Sequence, residues 1–354
     1  MPTAEDTFAG TKPVEERHRF DEAALDAWMR ANVEGYAGPL KVSQFKGGQS
    51  NPTYRLDTPG CAYVLRRKPF GELLPSAHAV DREFRVISAL HAAGFPVART
   101  YALCLDEAVI GAWFYIMSMV EGRVIWDAAM PDASPAERRA IFEAEIGTLA
   151  QLHQIDQEAI GLSDYGRPGN YFARQVERWT RQYRAAEIDP MPAMDRLIDW
   201  LPRTVPVQER VSIVHGDYRM DNMIFQADAP RVAAVLDWEL STIGDPLADF
   251  SYMAMNWSLP ADGRSALEGL DLKALGIPTL DEAVALYCRL TDRPGLPDLN
   301  WYFAFGLFRL CSITQGIAKR IQIGTAASER ARETAARAPR LAAAAWDFAQ
   351  KAGA

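Results

Sequence analysis

The sequence predicts an α+β fold with two lobes: a small lobe, residues 19–120, and a large, mainly helical lobe, residues 121–354. Up to Val120 short apolar runs alternate with Gly and Pro, the pattern of antiparallel strands joined by tight turns. From Ala136 onward apolar residues recur at helical spacing over long segments. The change falls on one short connection near Met119–Gly122, which predicts a hinge.

The elements of the small lobe follow from its turns and its apolar faces. We predict strands at Lys41–Phe45, Thr53–Asp57, Ala62–Arg66, Val97–Leu105 and Ala112–Val120. A short amphipathic helix is expected at Phe20–Val33, capped by Asp21. The main helix of the lobe is expected at Ala79–Ala93, with Gly94 as its stop. We interpret residues 1–18, which are polar, as a mobile tail.

The large lobe is predicted to be helical with a few short strands. The helices are expected at Ala136–His153, Tyr171–Ala186, Met194–Leu201, Asp281–Leu290, Trp301–Ile321 and Ala327–Gln350. The strands are expected at Val211–Val214, Met223–Phe225 and Val232–Leu236.

Composition narrows the class of protein. The chain has 354 residues, of which 49% are hydrophobic and 24% charged, the usual balance of a globular protein. Its net charge of −8 argues against a nucleic-acid partner. No apolar stretch reaches the roughly 18 residues that span a bilayer, and the N-terminus lacks a secretory core. Four widely spaced cysteines are typical of reduced core thiols, so we expect a cytoplasmic protein without a membrane partner.

Three side chains with metal-binding or proton-accepting chemistry lie in two short motifs. Asp217 and Asn222 belong to HGDYRMDN, and Asp237 follows a predicted strand in VLDWE. A base, an amide five residues later and a second acid fifteen residues after the amide can arrange a hydroxyl and metal ions around ATP. We predict that Asp217 is the catalytic residue, and that Asn222 and Asp237 bind Mg²⁺.

The loop between the first two strands is a candidate phosphate-binding segment. Its glycines allow backbone amides to approach phosphate, and the polar residues after them can donate hydrogen bonds. The predicted contacts are Gly47, Gly48, Gln49, Ser50 and Asn51. A glycine pair in this position is also typical of an ordinary hairpin turn, and both interpretations stay open.

Two further features of the small lobe fit a nucleotide. Arg66 ends the third strand and is a candidate cation for the phosphates. Glu83, seventeen residues later on the main helix, is its predicted counter-charge. At the predicted hinge, Met117 and Met119 are expected to line an adenine slot, although an ordinary buried strand would show the same pattern.

The motifs HGDYRMDN and VLDWELSTIGDPLAD resemble those of the aminoglycoside phosphotransferase family, within the protein-kinase-like superfamily. In detail they are closest to the kinase-like domain fused to acyl-CoA dehydrogenases. The resemblance covers about Lys41 to Arg320 and implies a protein-kinase-like two-lobed fold with ATP and Mg²⁺ as cofactors. It implies Asp217 as the base and Glu83 as partner of the nucleotide-binding cation. One departure is Arg66, where the family has lysine.

The acceptor is less clearly indicated. Arg219 in the catalytic loop favours an anionic small molecule, such as a hydroxy acid or a hydroxyacyl thioester, and other weak candidates for substrate contact are Trp179, Tyr183 and Arg309. The alternatives are an aminoglycoside or amino-alcohol kinase, a catalytically silent nucleotide-binding pseudokinase and a metal-dependent phosphohydrolase. The sequence does not indicate an oligomeric state.

Overall fold

The structure is a computed structural model that describes residues 9–46, 51–70, 79–323 and 329–354. The chain divides into two compact units. Unit 1 comprises Met1–Thr148, Asp156–Ser163 and Arg219–Ser241; unit 2 comprises Leu149–Ile155, Asp164–Tyr218 and Thr242–Ala354. This division is not that of the predicted lobes, 19–120 and 121–354, which stay a prediction. The mixed α+β class is confirmed.

The described strands carry the labels β1 to β10 in chain order. They are β1 (Thr11–Lys12), β2 (Lys41–Phe45), β3 (Thr53–Asp57), β4 (Ala62–Arg67), β5 (Thr100–Cys104), β6 (Phe114–Ser118), β7 (Ser212–Val214), β8 (Met223–Phe225), β9 (Val232–Val235) and β10 (Thr242–Gly244). In unit 1, β1 to β6 form an antiparallel sheet in the order β1-β2-β3-β4-β6-β5. The predicted meander of β2, β3 and β4 is therefore observed.

The described helices carry the labels α1 to α12. They are α1 (Glu22–Asn32), α2 (Val80–Ala92), α3 (Glu107–Ile110), α4 (Pro135–Gln154), α5 (Tyr171–Ala186), α6 (Pro192–Trp200), α7 (Leu247–Ala254), α8 (Leu272–Leu275), α9 (Leu280–Leu290), α10 (Asn300–Gln322), α11 (Glu329–Ala335) and α12 (Ala338–Lys351). Among the described residues, none of these helices is both long and apolar enough to cross a bilayer.

The core of unit 1 lies where α1 covers the sheet. Asp21 caps α1 by accepting the N–H groups of Ala23 and Ala24, both at 2.9 Å. The buried face of the helix presents Leu25 and Met29, four residues apart, to the buried side chains of β3, β4 and β6. Burial of this face fixes which side of the sheet is apolar.

A second hairpin, β8–β9, belongs to unit 1 although it lies a hundred residues further along the chain. Arg123 and Phe225 exchange backbone hydrogen bonds of 2.8 and 2.9 Å, and the Val235 N–H donates to the Pro96 carbonyl at 2.8 Å. The approach at Gly122 is so close that a Cβ there would lie 2.2 Å from the Phe225 carbonyl oxygen. These bonds join the hairpin to the segments of unit 1 around Pro96 and Arg123.

The centre of unit 2 is α10, which packs against α5 and α12. Phe172 of α5 meets the rings of Trp301, Tyr302 and Phe305 edge to face, at centroid distances of 5.3, 5.2 and 5.3 Å. The helix predicted over Ala327–Gln350 is instead divided into α11 and α12. Pro339 stands in the first turn of α12, where its missing N–H costs no helical hydrogen bond.

Candidate active site

Arg66 and Glu83 form an ion pair in unit 1, and Asp237 joins them. Arg66 Nε lies 2.7 Å from Glu83 Oε2, and Arg66 Nη2 lies 2.7 Å from Asp237 Oδ1. The side chains of Arg66 and Glu83 are only 11% and 2% exposed. The end of β4, the first turn of α2 and the turn after β9 therefore meet at one guanidinium.

Two buried donors complete the environment of Glu83. Asn51 Nδ2 donates to Glu83 Oε1 at 2.8 Å and to Glu239 Oε2 at 3.3 Å, and the Tyr115 hydroxyl donates to Glu83 Oε2 at 3.1 Å. The sequence reasoning missed Glu239 and Tyr115. The available signals were the position of Glu239, two residues after Asp237, and the pairing of Tyr115 with Arg66 across β4 and β6.

The cluster is acidic as a whole. One guanidinium faces the carboxylates of Glu83, Asp237 and Glu239, which gives a net charge of −2 when all are ionised. Burial alone lowers the pKa of Arg66, but the nearby negative charge, that of Glu83 above all, outweighs burial and raises this pKa. Arg66 therefore stays cationic, and the remaining negative charge suits a divalent cation.

Asp237 has an unusual backbone conformation. Its φ of 64° and ψ of 62° lie in the left-handed region, which few residues other than glycine occupy. The next residue, Trp238, is fully buried, donates from Nε1 to the Val235 carbonyl at 3.0 Å and meets the Phe95 ring edge to face. Packing of Trp238 stabilises the turn and leaves the Asp237 side chain 37% exposed.

Asn222 lies beside the same turn. The Leu236 N–H donates to the Asn222 backbone carbonyl at 2.8 Å, so the two predicted metal ligands flank one end of the β8–β9 hairpin. Among the described residues, no group of three or more His, Cys, Asp or Glu side chains could hold a metal ion. One carboxylate and one amide oxygen, with phosphate oxygens and water as further ligands, is the set that Mg²⁺ takes at nucleotide sites.

Asp217 belongs to unit 2, in the loop that follows β7. Asp249 of α7 holds this loop: its Oδ2 accepts the His215 N–H at 2.6 Å and its Oδ1 accepts the Gly216 N–H at 2.8 Å. His215 Nδ1 in turn accepts the Asp217 N–H at 3.2 Å. Gly216 has a φ of 87°, a conformation in which its lack of a side chain matters. The backbone before Asp217 is therefore fixed by buried side chains.

A histidine further along this network stays neutral. His153 Nδ1 lies 2.7 Å from the Tyr287 hydroxyl, and His153 Nε2 lies 3.5 Å from Asp249 Oδ2. Burial lowers the pKa of His153, and the negative charge of Asp249 only partly opposes this. The neutral His153 therefore packs beside Asp249 without adding a positive charge to it.

The other predicted residues fall at several places. Gly47, Gly48, Gln49 and Ser50 lie outside the described residues, whereas Asn51 is fully buried. Met117 and Met119 are half-buried at the end of β6 and just after it. Arg219 is in unit 1, with its Nη1 3.3 Å from Asp221 Oδ2. Trp179 and Tyr183 are buried on α5, and Arg309 on α10 donates to the Gly216 carbonyl at 2.6 Å.

Comparison with known proteins shows the family of this chain. The model of the Phosphotransferase enzyme family matches residues 41–285. The chain belongs to this family. A putative aminoglycoside phosphotransferase from Ralstonia eutropha shares the phosphotransferase fold at 52% identity and a TM-score of 0.86, over 94% of this chain and 99% of that one.

The resemblance to domains fused to acyl-CoA dehydrogenases is also confirmed. Acyl-CoA dehydrogenase family member 10 of Mus musculus is 43% identical over 97% of this chain and 32% of the relative. Family member 11 of Gallus gallus is 43% identical over 92% of this chain and 43% of the relative. The phosphotransferase chain therefore spans less than half of the length of these relatives.

More distant structures share only the fold with this phosphotransferase. A ternary complex of aminoglycoside phosphotransferase APH(4)-Ia with ADP and hygromycin B is 15% identical, with a TM-score of 0.59. The macrolide 2'-phosphotransferase MphH from Brachybacterium faecium is 19% identical, with a TM-score of 0.58. The predicted kinase-like fold is thereby confirmed.

Proposed function

We propose that this chain is a kinase that transfers the γ-phosphoryl group of ATP to a hydroxyl of a small molecule. The observation that carries the proposal is the meeting of Arg66, Glu83 and Asp237 in unit 1. A buried cation with a fixed counter-charge next to an exposed carboxylate is what a nucleotide with a divalent ion requires. A purely structural ion pair would not need the left-handed backbone and the exposed side chain of Asp237.

Each residue has a part in this reaction. Arg66, oriented by Glu83, binds the phosphates of the nucleotide, while Asn222 and Asp237 would hold Mg²⁺. Magnesium would supply charge neutralisation on the phosphoryl oxygens. Asp217 accepts a hydrogen bond from the acceptor hydroxyl and orients its lone pair toward phosphorus. Asp249, through its bonds to the backbone before Asp217, fixes the position of the base.

The acceptor, on this proposal, is a hydroxy acid or a hydroxyacyl thioester. The relatives named as acyl-CoA dehydrogenase family members support this class. The distant aminoglycoside and macrolide phosphotransferases share only the fold with this chain, so they do not argue for an antibiotic substrate. We expect ATP and Mg²⁺ as cofactors and a cytoplasmic location.

A pseudokinase is the alternative that one observation favours. Arg66 Nη2 lies 2.7 Å from Asp237 Oδ1, so the guanidinium contacts an oxygen that a metal ion would need. In a kinase, Asp237 would hold Mg²⁺ instead of Arg66, and Glu83 would keep its contact with Arg66 Nε. In a pseudokinase the contact persists, and Mg²⁺ does not strengthen nucleotide binding.

The test is the variant Asp217→Asn, which keeps the shape of the side chain and removes its charge. We expect nucleotide affinity within about twofold of wild type and turnover reduced about 10²–10⁴-fold, because only proton acceptance is lost. The matched control is Asp228→Asn, at an exposed acid in the turn between β8 and β9. Nucleotide binding is measured by calorimetry with and without Mg²⁺, and turnover by ADP release over a panel of hydroxy acids, thioesters and amino alcohols.

The outcomes separate the two candidates. Normal turnover in Asp217→Asn contradicts the role of the base. Absence of ATP consumption in wild type with every acceptor, together with Mg²⁺-independent nucleotide binding, supports the pseudokinase instead.

A further inference from the structure

A small pocket within unit 2, lined by apolar as well as polar side chains, adjoins the loop of the proposed base through Arg309. Three helices line it: Tyr171 and Gln175 come from α5, Ser251 and Tyr252 from α7, and Arg309 from α10. Arg309 Nη2 donates to the carbonyl of Gly216 at 2.6 Å, and Gly216 directly precedes Asp217. A residue that lines the pocket therefore contacts the residue before the proposed base.

The guanidinium of Arg309 is held in place, but not all of its hydrogen-bond donors have a partner in the protein. Its guanidinium carbon lies 5.5 Å from the Trp179 ring centroid and 5.3 Å from that of Tyr252, within the range of cation–π attraction. The bond to Gly216 uses one donor. Arg309 Nε and Trp179 Nε1 are both buried without a hydrogen-bond partner. Buried donors are almost always satisfied, so these two indicate an acceptor that the protein itself does not provide.

A second arginine strengthens the positive charge. Tyr171, Gln175 and Arg178 stand four and seven residues apart on α5 and so share one helical face. Arg178 is exposed as a whole residue, yet packing around its guanidinium and then the positive charge of Arg309 lower its pKa. Within the described part of the chain, neither arginine forms an ion pair. Arg178 on α5 and Arg309 on α10 lie on helices that pack together and carry like charges, and a bound anion would offset their repulsion.

We propose that Arg178 and Arg309 receive an anionic group of the acceptor, a carboxylate or a phosphate, and so place its hydroxyl at Asp217. This inference rests on the kinase function proposed above and assigns the binding site of its acceptor. A purely structural role for Arg309 accounts for its bond to Gly216. It does not account for the unpaired, buried Nε of Arg309 or for the position of Arg178. A polycationic acceptor is excluded from this site by like charge.

The test compares binding of an anionic acceptor with binding of its neutral amide. The probes are 2-, 3- and 4-hydroxybutyrate, their amides and the coenzyme A thioester of each. Saturation-transfer NMR measures binding, and ADP release measures turnover. The variant Arg178→Met removes a cation without touching the Gly216 contact, and Arg309→Lys keeps the charge but removes the planar fork. Arg181→Met, at an exposed arginine three residues along α5, is the matched control.

We expect wild type to bind at least one anionic probe about ten to a hundred times more tightly than the neutral amide, the range of a charge-assisted hydrogen bond. Arg178→Met and Arg309→Lys should lose most of this preference, and Arg181→Met should keep it. Dependence on Arg178 for the free acid identifies a carboxylate. The same dependence for the thioester alone identifies a phosphate of coenzyme A.

Two results overturn the inference: no preference of wild type for any anionic probe, or an unchanged preference in Arg178→Met. Failure of the kinase function looks different. In that case the anion binds with the expected dependence on Arg178, but no probe is phosphorylated at the expense of ATP.

Discussion

Replacing Arg66 by methionine tests the electrostatic centre of unit 1. Arg66 joins Glu83 and Asp237 at 2.7 Å each, with Glu239 at 3.5 Å. Methionine fills a similar volume, so the main change is the loss of one positive charge among three carboxylates. Glu83, only 2% exposed, is then left with the neutral donors Asn51 and Tyr115.

The expected loss of stability is large because the pair is buried. Removing one partner of a buried ion pair costs roughly 3–5 kcal/mol, since the remaining charge stays in a poorly solvated place. That corresponds to a decrease of the melting temperature on the order of 10 °C. The loss should be smaller at pH 5 than at pH 8, because a buried carboxyl without its cation can take up a proton.

The assay is urea unfolding and thermal melting of Arg66→Met beside two controls. Arg55→Met breaks an ion pair with Asp57 that is also 2.7 Å long, but whose side chains are 35% and 41% exposed, so about 1 kcal/mol or less is expected. The double variant Arg66→Met with Glu83→Gln should recover most of the stability. If Arg66→Met costs no more than Arg55→Met, the buried charge network does not stabilise unit 1 and the reasoning is wrong.

Two further predictions concern stability. Gly122→Ala should lower the free energy of unfolding in urea by about 2 kcal/mol or more, because its Cβ would lie 2.2 Å from the Phe225 carbonyl oxygen. Gly147→Ala, where a Cβ would meet no atom within 4 Å, should instead raise it by about 0.5–1 kcal/mol. Equal effects of the two substitutions would contradict this prediction. Burial, and then the charge of Asp221, raise the pKa of Glu145 to about 8 from an ordinary 4.5, so the folded state retains a proton that the unfolded chain releases. Stability should fall by up to about 5 kcal/mol as pH rises from about 4.5 to 8, and Glu145→Gln should remove that fall in unfolding curves at pH 5–9.

Local patterns predicted local structure well. The positions of β2, β3 and β8, the cap at Asp21 and the extent of α5 follow from turn residues and apolar spacing, which act within a few residues. The predicted strand at Val97–Leu105 is shorter, and α3 follows it in a stretch for which no element was predicted, because Asp106 caps a single turn of helix. Such a cap depends on one side chain and leaves little trace in periodicity.

Long-range assembly was predicted only where a motif already implied it. The pairing of Arg66 with Glu83 was proposed from charge and order along the chain. Glu239 was not, since an acid in a polar turn has no periodic signature. The β8–β9 hairpin is joined to the rest of unit 1 by backbone hydrogen bonds between Arg123 and Phe225. Such bonds do not depend on the side chains, so the sequence pattern does not reveal them.

Position 66 suits arginine better than lysine because the side chain there faces three carboxylates. A lysine ammonium is a single point of charge, whereas the guanidinium places Nε at Glu83 and Nη2 at Asp237 simultaneously. This second contact places positive charge beside Asp237, and the same Nη2 lies 3.5 Å from Glu239 Oε2. On the proposed function, Asp237 would hold the divalent ion in place of Arg66, and Glu83 would keep its contact with Arg66 Nε. Arg66→Lys should therefore bind Mg²⁺–nucleotide with similar affinity but lose stability in the nucleotide-free state, a difference that melting curves with and without Mg²⁺–ATP would show.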